Sequence, residues 1–252
     1  MSKTIHVQAH RGASYEKTEN TLEAFKTALE IGADSIELDV HLSSDGVPIV
    51  FHDFVISPEK TEGLQRSCPI KELSFDEITS LKWKSGRGPI PSLEEVFKEL
   101  SKLDTAGFSW LDIELKREPN SLVPATDVFV SKVIQLVNRF WKLEKATFRS
   151  FDFDLLKEIR GQCSSARIIA LIDEKNRDFS KIISELKPNW IAPYFKALSE
   201  EKIRMAHKLG VKVMPYTVNE EQDWEKLINW GVDGMTTDKP RALLDYIKRK
   251  GI

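Results

Sequence analysis

Cysteine is scarce in this chain: Cys68 and Cys163 are the only two, with no CxxC pair and no Cys/His metal spacing. No disulfide framework or thiolate site follows, and a reducing compartment is the simplest setting. Long apolar runs are missing too; Ile168-Ile169-Ala170-Leu171-Ile172 falls far short of the ~20 residues that span a bilayer. Residues 1–12 enter a strand-like segment without the apolar stretch of a signal peptide, so the expected location is cytoplasmic. Charge of one sign is also lacking. Lys and Arg number 37 against 39 Asp and Glu, a net −2, which offers no basic field to nucleic acid or anionic membrane. The run Lys248-Arg249-Lys250 reads as charge compensating the dipole of a last helix. A GxSxG elbow, a P-loop and a GxGxxG fingerprint are all absent, so acyl transfer and nucleotide-driven chemistry lack support.

What is present is an ordinary globular composition, 252 residues with 41% apolar, 30% charged, 12 Gly and 11 Pro. β-rich runs recur at Ile5–Ala9, Asp34–Val40, Val47–Phe51, Trp110–Leu115, Ala146–Ser150, Arg167–Ile172, Trp190–Pro193, Val211–Val218 and Gly234–Thr236. Apolar residues at helical spacing predict helices over Thr21–Ile31, Leu93–Leu103, Thr126–Phe140, Phe153–Ile159, Ser199–Leu209, Glu220–Trp230 and Arg241–Lys248. Gly32, Gly107, Gly210 and Gly231 fall where helices would end in a left-handed cap.

Nine β runs exceed an eight-stranded barrel by one. Only residues 41–46 separate Val40 from Val47, and they include Asp45-Gly46. A parallel crossover needs about a dozen residues, so this connection reverses the chain as a hairpin. Eight parallel βα units remain, which predicts a TIM (β/α)8 barrel with a doubly wound sheet as the alternative. The stretch Asp53–Pro91, rich in Pro and Gly with one short helix at Phe75–Trp83, breaks the rhythm. It reads as a small insertion (residues 53–91) within a single domain of residues 1–252. Ser92 then caps the next barrel helix.

Barrel enzymes take their chemistry from the C-terminal ends of strands. Those ends carry His10-Arg11-Gly12, Glu37 and Asp39, His52-Asp53, and Asp112, Glu114 and Lys116. In Ser35-Ile36-Glu37-Leu38-Asp39-Val40 the two acids share one face and the apolar residues the other. The apolar face packs on helices, so Glu37 and Asp39 point into the barrel; the same split groups Asp112, Glu114 and Lys116. Unpaired buried charge is costly. Salt bridges to Lys116 and Arg11 are the structural explanation, but the acids outnumber these cations and leave room for a divalent one. All-oxygen ligation favours Mg²⁺ or Ca²⁺ over Zn²⁺. His10 and His52 fall beside the acids, and imidazole exchanges protons near neutrality. Two of them around an anion site suggest an acid/base pair for phosphoryl transfer. His6 and His207 read as surface positions and His41 as a flank of the hairpin, none with a role.

The sequence resembles the glycerophosphodiester phosphodiesterases. The resemblance rests on His10-Arg11-Gly12, Thr18-Glu19-Asn20-Thr21, Glu37-Leu38-Asp39-Val40, Asp45-Gly46-Val47-Pro48 and His52-Asp53. It continues through Ile90-Pro91-Ser92-Leu93-Glu94-Glu95, Ile113-Glu114-Leu115-Lys116, Tyr216-Thr217-Val218-Asn219, Gly231-Val232-Asp233-Gly234 and Thr237-Asp238-Pro240. It implies a TIM barrel with a small insertion after the His-Asp motif. It further implies hydrolysis of glycerophosphodiesters to sn-glycerol 3-phosphate and an alcohol, with one divalent cation. By position, His10 and His52 are the acid/base pair and Glu37, Asp39 and Glu114 the metal ligands. Arg11 and Lys116 contact phosphate, and Glu19 supports the metal site or Arg11. Thr18 replaces a frequent Pro and Tyr216 a common Trp, and the second bears on the alcohol group. The partner implied is a small-molecule substrate, without nucleic acid or membrane insertion. A related barrel phosphodiesterase acting on lysophospholipid headgroups and a silent glycerophosphate-binding barrel are the competing readings.

Overall fold

The computed structural model describes residues 5–84, 88–103, 107–118, 124–173 and 177–252. Its main sheet contains β1 (His6–Ala9), β2 (Ser35–Leu42), β3 (Pro48–Val50), β4 (Trp110–Leu115), β5 (Ala146–Ser150), β6 (Ile168–Ile172), β7 (Trp190–Pro193), β8 (Lys212–Val213) and β9 (Gly234–Thr237). The hydrogen-bonded path runs β8-β7-β6-β5-β4-β2-β1-β9, with β3 hanging off β2. Every neighbouring pair on that path is parallel, whereas β2 and β3 are antiparallel, as the short Asp45-Gly46 connection requires. Three backbone bonds close the ring between β8 and β9: Asp233 N–H to the Val213 carbonyl, 2.9 Å, Thr236 N–H to Pro215, 3.0 Å, and Val218 N–H to Thr236, 2.9 Å. The sheet is therefore a nearly closed parallel barrel of eight strands. The run read as Val211–Val218 is a ladder only over Lys212–Val213; Pro215 has no N–H to continue it.

The α-helices are α1 (Leu22–Ile31), α2 (Phe75–Ser80), α3 (Leu93–Leu100), α4 (Thr126–Phe140), α5 (Phe153–Gln162), α6 (Phe179–Leu186), α7 (Glu200–Lys208), α8 (Glu221–Trp230) and α9 (Pro240–Lys250) among the described residues. Their ends follow side-chain chemistry. Thr21 caps α1 by accepting from the Ala24 N–H, and Ser92 with Glu95 forms a capping box on α3. Two expectations are corrected. Helix α3 ends at Leu100 with Ser101 as its cap, so Gly107 is not a helix cap. Helix α6, capped by Asp178, was not expected, because only eight residues carry its apolar face and a polar stretch precedes them.

The outward faces of β2 and β4, Ile36, Leu38, Val40, Leu111, Ile113 and Leu115, join Phe25, Val96, Phe97 and Val133 of the helices in one apolar layer. Fully burying such a side chain contributes about 1.5–3 kcal/mol. Trp110, Ile169, Leu171, Trp190, Ala192 and Met214 form a separate cluster inside the barrel. Between β3 and α3 the chain pairs Val55–Ile56 with Cys68–Pro69 and Thr61–Glu62 with Lys82–Trp83. Its own core gathers Ile49, Phe51, Ile56, Ile70, Leu73, Ile78 and Ile90. Among the described residues, no helix is long and apolar enough to cross a membrane.

Candidate active site

Strand β2 lies beside β4 with Glu37 opposite Asp112 and Asp39 opposite Glu114. Alternation plus register thus stacks acids on the inner face. Glu37 and Asp39 are buried, Glu114 is 8% exposed, and one oxygen from each lies within 4.8 Å of the other two. Two cations reach this group. Lys116 Nζ sits 3.2 Å from Asp39 Oδ1 and 3.3 Å from Glu114 Oε1. Arg11 places Nε 3.2 Å from Asp39 Oδ2 and an Nη 2.8 Å from Glu19 Oε2, while its backbone N–H donates to Glu37 Oε2 at 2.9 Å.

The turn after β1 makes this possible. Arg11 adopts φ 55° and Gly12 φ 82°. A Cβ on Gly12 would lie 2.7 Å from the Ala24 carbonyl carbon, so only glycine permits this approach of loop to α1. Asn20, also left-handed at φ 55° and buried, donates to Asp39 Oδ2 at 2.7 Å and accepts the Asp39 N–H at 3.3 Å.

The three carboxylates do not share one electrostatic fate. Burial raises the pKa of Asp39, but Lys116, Arg11, His52 and the Asn20 hydrogen bond outweigh it and hold Asp39 well below the usual carboxylate range. Burial, reinforced by the charge of Asp39, pushes Glu37 well above that range despite Arg149. Burial likewise raises Glu114 against the pull of Lys116. Glu37 Oε1 is buried and has no hydrogen-bond partner. The cluster is short of positive charge.

Both expected histidines flank it, each backed by a carboxylate. His10 Nδ1 donates to Asp238 Oδ1 at 2.6 Å, and Asp238 also accepts from Ser14 Oγ at 3.1 Å and Asn219 Nδ2 at 2.6 Å. Burial raises the Asp238 pKa, yet the hydrogen bond and charge of His10, with the hydrogen bonds of Asn219 and Ser14, bring it down to about 2. His52 Nδ1 lies 2.9 Å from Asp53 Oδ1, and Lys60 contacts Asp53 Oδ2. The hairpin brings His52 back beside the acids: the Phe51 N–H donates to the Asp39 carbonyl at 3.1 Å.

One layer lower on the same inward face, Asp112 is paired separately from Glu114 and Lys116. Asp112 is bound by Arg149, by Gln8 Nε2 at 2.9 Å and by Thr147 Oγ1 at 2.8 Å. Arg149 is 1% exposed and its guanidinium also reaches Gln8 Oε1. Alternation along Ala146–Ser150 could have placed Arg149 inside beside Thr147. His6, expected at the surface, is half-buried. Its ring stacks on Trp110 at 4.2 Å, Nε2 lies 2.8 Å from Ser35 Oγ, and burial with Lys212 pulls its pKa to about 3. His207 is exposed but pairs with Asp233 at 2.7 Å. Asn20, Asp53, Asn219 and Asp238 all lay within quoted motifs, but no local pattern revealed what they touch.

Charged groups concentrated at the C-terminal mouth of a parallel barrel are where such folds keep their chemistry, and the chain is an α/β-barrel enzyme. It belongs to the glycerophosphoryl diester phosphodiesterase family, whose match covers residues 10–242 and so contains the site from His10 to Asp238. A glycerophosphodiester phosphodiesterase of Caldanaerobacter subterraneus subsp. tengcongensis is 30% identical over 251 residues, 99% of this chain and 100% of that protein. The structure resembles that of an Oleispira antarctica phosphodiesterase in complex with the product sn-glycerol-3-phosphate. Its TM-score is 0.85 at 25% identity, over 96% of each chain. A glycerophosphodiester phosphodiesterase from Parabacteroides distasonis gives TM-score 0.85 at 25% identity over 100% of both chains.

Proposed function

We propose that this enzyme hydrolyses glycerophosphodiesters to sn-glycerol 3-phosphate and an alcohol, using His10 and His52 as acid and base and a divalent cation held by Glu37, Asp39 and Glu114. The observation that carries this reading is the conjunction of a buried, cation-short carboxylate cluster with two carboxylate-backed histidines. The product-bound Oleispira enzyme supports the substrate class. A cation fits the site because the donors are all oxygen and Glu37 Oε1 lacks a partner; hard oxygen ligation selects Mg²⁺ or Ca²⁺. When bound, the ion supplies Lewis-acid polarisation of the phosphoryl group.

The chain's own groups do the rest. Arg11 and Lys116 spread over the phosphate charge, and Glu19 holds the Arg11 guanidinium in place. Asp238 and Asp53 fix the Nδ1–H tautomer of His10 and His52, leaving each Nε2 to exchange a proton with substrate. One histidine takes the proton of the attacking hydroxyl and the other protonates the leaving alkoxide. A cyclic glycerophosphate seen by ³¹P NMR marks attack by the glycerol 2-hydroxyl. The chain reads as one cytoplasmic domain with residues 53–91 as an insertion beside the mouth, acting on a small molecule.

A lysophospholipid substrate is the second reading. Lysophospholipase D GDPD3 of Mus musculus is 26% identical over 98% of this chain and 83% of its own length. Phe151 and Tyr194, 44% and 36% exposed, follow β5 and β7 at the mouth and offer it an apolar rim. Turnover of glycerophosphocholine and lysophosphatidylcholine, each with and without chelator, separates the readings. Chelator-sensitive release of sn-glycerol 3-phosphate is expected, and full activity in excess chelator overturns the metal assignment.

A further inference from the structure

His41 follows Glu37 and Asp39 on the same face of β2, and the chemistry above leaves it unused. It is 4% exposed. Its Nε2 lies 3.1 Å from the backbone carbonyl oxygen of His52. A carbonyl only accepts, so Nε2 carries the proton and donates it. The ring meets Phe54 edge-on, 5.2 Å between centroids at 85°. Phe54 in turn accepts the Ile70 N–H at 3.0 Å, which ties this contact to the insertion.

A space-filling role alone would suit Leu or Phe here. A buried imidazole needs a partner, and the partner it takes is the main chain of His52. Residues 51–54 are then strapped to β2 at three successive points. The Phe51 N–H bonds to the Asp39 carbonyl at 3.1 Å, the His52 carbonyl accepts from His41, and Phe54 packs on the His41 ring. Asp53 holds the His52 imidazole from its other end at 2.9 Å.

We propose that His41 is a positioning residue for His52, fixing its main chain so that the imidazole keeps a set place relative to Asp39 and the phosphate. This inference rests on the reading of His52 as acid or base. It predicts a cost in rate rather than in binding, because a displaced proton-transfer group loses alignment while Arg11 and Lys116 still hold the phosphate.

The test is steady-state turnover of glycerophosphocholine with Mg²⁺ by His41→Leu, His41→Gln, His52→Ala and the double variant His41→Leu/His52→Ala. His41→Leu should lose about 10- to 100-fold in kcat with KM within about twofold. His41→Gln, whose amide can still donate, should recover most of that loss. Adding His41→Leu to His52→Ala should cost less than about twofold more, since residues acting as a unit are non-additive. Calorimetric binding of Ca²⁺ should match wild type. Where His41→Leu fails to fold, His41→Asn, polar but too short to reach, carries the same expectations. Wild-type kcat in a folded His41→Leu or His41→Asn overturns the proposal, as does failure of His41→Gln to rescue or a fully additive double variant. If His52→Ala itself turns over normally, the acid/base reading falls and this proposal with it; if His52→Ala is inactive while His41→Leu runs at full speed, only this proposal falls.

Discussion

Asp238→Asn is the sharpest probe of the histidine chemistry because it keeps shape and removes one charge. The carboxylate receives three donors: His10 Nδ1 at 2.6 Å and Ser14 Oγ at 3.1 Å on one oxygen, and Asn219 Nδ2 at 2.6 Å on the other. An amide offers one oxygen and one NH₂, so it cannot accept from both sides. If its oxygen stays toward Asn219, the NH₂ faces His10 and turns Nδ1 into an acceptor. The proton then moves to Nε2, and the ring can no longer act as a base there. If its oxygen turns to His10, the NH₂ opposes the Asn219 amide and that hydrogen bond is lost. Misplacing a general acid or base costs about 10²–10⁴-fold, which is about 3–5 kcal/mol in the barrier. Release of sn-glycerol 3-phosphate from glycerophosphocholine, measured by a coupled dehydrogenase assay, should fall by that range. KM should change little, and circular dichroism should show an intact barrel. Wild-type kcat in folded Asp238→Asn refutes the assignment of His10 and leaves Asp238 as a loop fastener.

Glu37→Gln removes a ligand charge at the buried oxygen that has no partner; activity and Mg²⁺ affinity should fall by orders of magnitude, and unchanged affinity by calorimetry makes Glu37 structural. His10→Ala and His52→Ala should each cripple turnover, with the double variant little slower than either single one; fully additive losses mean the two do not act on one step. Arg149→Met leaves Asp112 buried at 0% exposure without its cation, so urea melts should show a loss of about 3–5 kcal/mol, and a melt within ~1 kcal/mol of wild type shows that Gln8 and Thr147 suffice for Asp112. The Asp238 pKa is depressed from 3.8 to about 2; its stabilisation is complete above the unfolded value and drains away as pH falls between these values, so acid unfolding of Asp238→Asn should be flatter over that window than that of wild type.

Local rules reach far in this chain. Period-two alternation alone set Glu37 and Asp39 on one face of β2, and the short Asp45-Gly46 link alone required an antiparallel partner. Both follow from backbone geometry within a few residues, which no tertiary packing can alter without exposing Ile36, Leu38 and Val40. What lies across the barrel had no such signal. Asp238 meets His10 across 228 positions only because β1 pairs with β9 when the sheet closes. Arg149 takes Asp112 away from the carboxylate cluster only because β4 and β5 stand in one register, Asp112 opposite Thr147. His6, at the start of β1, becomes half-buried because Trp110 and Trp190 arrive from two other strands to pack on it. Which faces carry charge is written in neighbouring residues. Which charges neutralise each other depends on strand order and register, and those exist only once distant segments have packed.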